Sequence, residues 1–200
     1  GDVTVALRLK VYTAEDTLRT IDGAPTTLPP GGDATLSWVV PDVGGQPIAE
    51  AGVVVTAAGR RADGAVILDH LRFDGAPDLH LRRPAETGDF WRQAWVNGVS
   101  FFSKRYPPSF RISQSHDEGI VIHGTRQWTD YKVSADIAIH LGNYGGVCAR
   151  VQGLRRYYAV RATRDGKLQI VRTRDADTVV LAETAYDLVF EKKIPVTLTV

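Results

Sequence analysis

Alternation with a period of two is the strongest constraint in this sequence. Val3, Val5, Leu7, Leu9 and Val11 alternate with Thr4, Ala6, Arg8, Lys10 and Tyr12. Successive side chains of an extended chain point to opposite faces, so this pattern is that of a half-buried strand. Strand-like stretches recur at 48–57, 110–113, 119–123, 130–140, 146–152, 157–163, 167–173, 178–184 and 195–200. The apolar runs at 34–40, which carries Trp38, and at 65–73 read as two further strands. Polar turns separate the later ones: Gly142-Asn143, Gly153-Leu154, Asp165-Gly166 and Asp175-Ala176-Asp177. Asp-Gly between alternating runs is the strongest hairpin signal in the chain. Short strands spaced by about 8–12 residues with polar turns predict an all-β chain, an antiparallel β-sandwich or jelly roll. No βαβ pattern is present, which excludes a Rossmann-like nucleotide site.

Texture divides the chain into three parts: a β-rich segment 1–83, a segment 84–107, and a second β-rich segment 108–200. The middle part holds Phe90, Trp91, Trp95, Phe101, Phe102 and Tyr106 without strict alternation. It reads as a linker that packs down through its aromatics, with one short helical turn around 88–96. The first part has too few strands for a complete sandwich. The sequence also contains no Met, opens at Gly1-Asp2-Val3 directly on the alternating pattern, and stops within a strand-like run. The chain is therefore expected to be a piece of a longer polypeptide, with the second sandwich cut at its C-terminal end.

Charge narrows the partners. Lys+Arg 24 against Asp+Glu 23 gives a formal net charge of +1. A polyanion partner or an anionic membrane surface would call for a marked basic excess, so neither nucleic acid nor membrane is expected. Arg accounts for 18 of the 24 cations. Its planar fork suits sugar, carboxylate or phosphate contacts, although a GC-rich coding sequence gives the same bias. The single cysteine, Cys148, excludes an internal disulfide framework and a multi-cysteine zinc site, and its mid-strand position marks it as inert. One free Cys permits the cytoplasm, while sugar-binding sandwiches are often exported, so the compartment stays open.

Candidate sites follow from residue type and strand parity. Alternation places Lys132, Ser134, Asp136 and His140 on one face and Tyr131, Val133, Ala135, Ile137 and Ile139 on the core face. On the next strand Val147, Ala149 and Val151 face inward and Cys148, Arg150 and Gln152 face outward. On the one after, Tyr157, Ala159 and Arg161 oppose Arg156, Tyr158 and Val160. A face holding Asp136, Arg150 and Arg161 with Tyr157 beside them supplies the planar polar groups and flat rings a sugar site needs, and a solvated face with surface ion pairs has the same composition. Trp128, at a strand entrance, is either a stacking platform or a core plug. Trp91 and Trp95 are read as staples of the linker to a neighbouring domain, and Trp38 as core.

Other chemistries lack their patterns. The five histidines include no close metal-binding pair. Acidic pairs such as Asp74 and Asp78, or Asp175 and Asp177, leave room for a structural calcium ion, and no other cofactor is expected. The Glu-x-Asp-x-x-Glu spacing of jelly-roll glycosidases is missing, as is a Gly-x-Ser-x-Gly elbow. The basic doublets Arg60-Arg61, Arg82-Arg83 and Arg155-Arg156 are too short for a nucleic-acid face.

The run Gly119-Ile120-Val121-Ile122-His123-Gly124-Thr125-Arg126-Gln127-Trp128-Thr129-Asp130-Tyr131, followed by Gly145-Gly146-Val147-Cys148-Ala149-Arg150, Tyr157-Tyr158-Ala159-Val160 and Asp165-Gly166-Lys167-Leu168, resembles concanavalin A-like (laminin-G-like) jelly rolls of bacterial glycoside-acting proteins. Residues 64–75 look like the last strands of a galactose-binding-type sandwich. Joined by Trp91-Arg92-Gln93-Ala94-Trp95-Val96-Asn97, the two resemble the C-terminal region of bacterial ADP-ribosylglycohydrolase-family proteins. The resemblance implies an accessory region that binds a glycan or sugar conjugate for an attached catalytic domain. That family's catalytic domain is helical with a two-magnesium carboxylate site, and no such motif occurs here. A structural or oligomerisation module without ligand, and a glycoside-processing enzyme of concanavalin-like fold, are the two alternatives. At this level the ligand-binding candidates are Asp136, Arg150, Tyr157, Arg161 and Trp128, with no catalytic residue assigned.

Overall fold

The structure, a computed structural model, describes residues 1–57, 64–84, 88–175 and 177–200. The turn expected at Arg60-Arg61 lies outside the described residues. The chain forms antiparallel β-sheets in two compact units, Gly1–Gly119 and Ile120–Val200. The described part of the aromatic segment 84–107 belongs to the first unit.

In the first unit, β1 (Val3–Tyr12) is the hub of a four-stranded sheet. Strand β4 (Ile48–Ala57) pairs along its whole length. Its other edge is shared by β2 (Leu18–Asp22) and β3 (Thr26–Leu28). The alternation of β1 holds in part: Val5, Leu9 and Val11 are buried, and so are Ala6 and Tyr12 of the opposite face. Arg8 and Lys10, on the opposite face, pair with the cross-strand residues Asp22 and Glu50 at 2.6 and 2.8 Å. The runs 34–40 and 65–73 are not strands. Val39 and Ile67 are almost fully exposed, and neither run makes a ladder with another described strand. An apolar run without a partner for its N–H and C=O groups does not become a strand, whatever its composition. Trp38 is only partly buried, seated against Gly23.

The expected helical turn is present as a 3-10 turn, Phe90–Ala94. It is followed by β5 (Val96–Gly98), β6 (Phe101–Ser103) and β7 (Arg111–Ser113). Strands β6 and β7 form a short hairpin. The rings of Trp91 and Trp95 both meet Phe102 and Phe110, within the same unit, at centroid distances of 5.0 to 6.0 Å.

The second unit is a sandwich. It begins with β8 (Ile120–Ile122). One sheet runs β10 (Tyr144–Gly153), β11 (Arg156–Thr163), β12 (Lys167–Arg174), β13 (Asp177–Ala185). The other pairs β9 (Lys132–Ile137) with β14 (Ile194–Thr199). Between them Val147, Ala149, Val160 and Ala162 pack on Ile194, Val196 and Leu198. The Asp165-Gly166 hairpin joins β11 to β12 as predicted, with Gly166 at φ +80, a conformation glycine adopts without strain.

Candidate functional site

The four-stranded sheet of the second unit has an inner face on the β9–β14 core and an outer face that is itself mostly buried along β11 and β12, where Tyr157, Ala159, Thr163, Gln169, Val171 and Thr173 are each at most 8% exposed. The outer face carries Tyr157, Ala159, Arg161 and Thr163 of β11, opposite Thr173, Val171, Gln169 and Lys167 of β12. Its two ends differ. Toward Tyr157, a second apolar cluster forms with Ile120, Ala159 and Val171, and Ile122, Cys148 and Val151 pack against it. Tyr157 is 3% exposed there. Toward Arg161, the face is polar.

At that polar end the ladder aligns Gly146, Arg161, Gln169 and Glu183 across four strands. Arg161 Nε donates to Gln169 Oε1 at 3.0 Å, and Gln169 Nε2 donates to Glu183 Oε2 at 3.0 Å. Lys167 Nζ reaches Glu183 Oε1 at 3.0 Å. The Arg161 guanidinium lies 4.3 Å from the centre of the Tyr144 ring, a cation–π contact. Gln169 and Thr163 are buried within this network. The hydrogen bonds from Lys167 and Gln169 hold the Glu183 carboxyl below its ordinary pKa, and Glu183 in turn raises that of Lys167. A carboxylate so stabilised stays ionised at neutral pH and is a poor general acid. Asp165 is held low as well, first by a hydrogen bond from Thr163. The arrangement offers fixed donors and acceptors beside a ring.

The remaining sequence candidates are dispersed. Asp136 is exposed on the outer side of the β9–β14 sheet, since its neighbours Val133 and Ile137 face the core. It therefore lies on the opposite side of the sandwich from Arg161. Arg150 sits in an irregularity of the β10–β11 ladder at φ +54, and its N–H donates to Tyr131 Oη at 2.7 Å. This irregularity reverses the parity of β10. Val147 and Ala149 join the inner core, whereas Val151, expected beside them, packs with the outer cluster, as does Cys148. Trp128 is partly buried against Gly124, with His123 and Tyr131 each at 6.2 Å between ring centres. Of the expected set, only Tyr157 and Arg161 share a strand face, and only Arg161 is in the polar row.

Sequence reasoning passed over Tyr144, Lys167 and Gln169 as site residues. A usable signal existed: pairing outward from the Asp165-Gly166 turn sets Gln169 opposite Arg161. Among the described residues, no three His, Cys, Asp or Glu side chains gather as a metal site requires. The Asp175 carboxylate receives Arg156 through two hydrogen bonds, at 2.9 and 3.1 Å. Comparison with protein-family models, with curated proteins and with solved structures finds no match to this chain.

Proposed function

We propose that this chain is a non-catalytic carbohydrate-binding accessory region of a larger bacterial hydrolase, of the kind its resemblance to ADP-ribosylglycohydrolase-associated regions suggests. On this reading the second unit is a concanavalin-like jelly roll, and a glycan or sugar conjugate docks on the outer face of its four-stranded sheet. The observation that carries the reading is the row Tyr144, Arg161, Gln169 and Glu183. Only the Nε of Arg161 is committed to a hydrogen bond within the row, with Gln169 at 3.0 Å. The terminal nitrogens keep donor capacity for a sugar diol or carboxylate. Gln169 and Glu183 hold the guanidinium in place, so little side-chain entropy remains to be lost on binding. A glycan array followed by calorimetry on the best ligand tests this, with Arg161→Ala expected to weaken binding at least tenfold and an empty array contradicting the reading.

A second reading, a structural or self-associating module, rests on β13. Every residue of this strand is exposed, including Val179, Val180 and Leu181, and it pairs only with β12 among the described strands. Unpaired apolar edges are templates for strand addition. Sedimentation of the chain against a Val180→Lys variant tests it: a dimer lost in the variant supports self-association, and a monomer throughout contradicts it.

A further inference from the structure

The β6–β7 hairpin of the first unit has two chemically different sides. On one, Phe102, 1% exposed, enters the aromatic cluster of Trp91, Trp95 and Phe110. On the other, the register pairs Phe101 with Ser113 and Ser103 with Arg111. This second side, on which Ser103 is 2% exposed, lines an open groove of about 580 Å³ that also takes in Phe102, Arg92, Lys104, Arg105 and Tyr106. Ligand clefts commonly fall in this size range, about 300–1,000 Å³.

The groove is cationic far beyond the composition of the chain. Four cations, Arg92, Lys104, Arg105 and Arg111, face one carboxylate, Asp89. Asp89 stands 3.7 Å from Arg92 and 3.9 Å from Lys104. Among the described residues no carboxylate lies within ion-pair distance of Arg105 or Arg111. Flat apolar surface is present too, since Phe101 and Tyr106 are 58% and 59% exposed. The Arg111 guanidinium stacks 4.6 Å from the Tyr106 ring centre, which orients its plane.

The loop bearing these groups is anchored from behind. Arg83 is 4% exposed. Its guanidinium donates to the carbonyls of Lys104, Arg105 and Ser109 and lies 5.0 Å from the centre of the Trp91 ring. Tyr106 is held at φ +65, an uncommon backbone conformation for a bulky residue that persists only where its surroundings impose it.

We infer that this groove is a second binding site, distinct from the sheet face, for an acidic sugar: a pyranose carrying a carboxylate or a sulfate, its oxyanion on Arg105 and Arg111 and its ring against Tyr106 or Phe101. Planar guanidinium groups match such oxyanions bidentately, and exposed rings take the C–H face of a sugar.

The test is calorimetry on the whole chain with three probes: trigalacturonate, a sulfated heparin disaccharide and neutral galactotriose. One acidic probe is expected to bind and to weaken as salt rises, because partly exposed charges are screened. Arg111→Gln and Arg105→Gln, both on exposed positions, each lower that affinity at least tenfold, while Arg172→Gln, exposed on β12 and outside both sites, leaves it unchanged. Which acidic probe binds separates carboxylate from sulfate. Failure of both acidic probes at millimolar concentration overturns the inference, as does equal binding by the two groove variants. Binding of a single-stranded oligonucleotide through the same arginines, with both acidic sugars inert, overturns the ligand class.

Discussion

The carboxylate of Asp16 accepts the main-chain N–H of Trp91 at 2.6 Å, joining residues 75 positions apart. Its second oxygen accepts the N–H of Phe90 at 3.0 Å. These are unsatisfied donors at the start of the 3-10 turn, so one side chain from the β1–β2 turn caps a distant element of the same unit. Removing such a cap costs about 0.5–2 kcal/mol. Asp16→Ala is expected to lower the stability of the first unit by that amount, read from the denaturant midpoint by Trp fluorescence. Asp16→Asn, which keeps one acceptor, is expected to fall between.

Arg83 is a buried cation whose hydrogen bonds within the structure go to main-chain carbonyls. Burial lowers its pKa, yet the guanidinium remains charged at neutral pH. Replacing it with Met strands the carbonyls of Lys104, Arg105 and Ser109 at once. Hydrogen bonds to charged groups contribute about 1.5–3 kcal/mol each, so a loss of at least about 4.5 kcal/mol is expected for the set of three. Hydrogen exchange localises the effect: protection should fall first in residues 104–111.

Gly146 faces the backbone of Val160 and Arg161 so closely that a Cβ would collide with the Val160 carbonyl and come 2.8 Å from the Arg161 Cα. Only glycine permits this strand approach. Gly146→Ala is expected to destabilise the second unit by more than about 2 kcal/mol, as overpacking does. It should also weaken glycan binding, because it displaces the strand that carries Arg161. An unchanged thermal midpoint would contradict the assigned register.

Three carboxyls sit below their ordinary pKa through hydrogen bonds to cations or amides: Asp22 to Arg8, Asp175 to Arg156, and Glu183 to Lys167 and Gln169. A carboxyl with a depressed folded-state pKa stabilises the fold above its unfolded pKa, about 4. That contribution is lost as pH falls through the lower, folded value. Stability is therefore expected to be flat near neutrality and to decline below about pH 4. Asp175→Asn removes one of these pairs and should flatten the acid limb of the curve of midpoint against pH.

Much of this architecture was legible because its cause is local. Alternation in residues 3–11 and from 130 onward marks strands that the structure contains, and Asp165-Gly166 marks the hairpin. What failed is long-range. The runs 34–40 and 65–73 have strand composition but no partner, and β2 and β3 are too short for a pattern to register. Arg161 was found by parity, yet its companions Gln169 and Glu183 needed the register of three strands. Val151 was misassigned because the left-handed backbone at Arg150 reverses the parity of β10, and nothing in an alternating sequence announces it.

The central proposal is that Arg161, held by Gln169 and Tyr144, binds a glycan on the outer sheet face. The most direct measurement is the calorimetric affinity of the strongest glycan-array ligand for the unmodified chain and for Arg161→Ala, with folding of both verified by thermal melting. At least a tenfold loss, about 1.4 kcal/mol, is predicted for the variant at an unchanged midpoint. Equal affinity in the two proteins, or an array without any ligand, would contradict it.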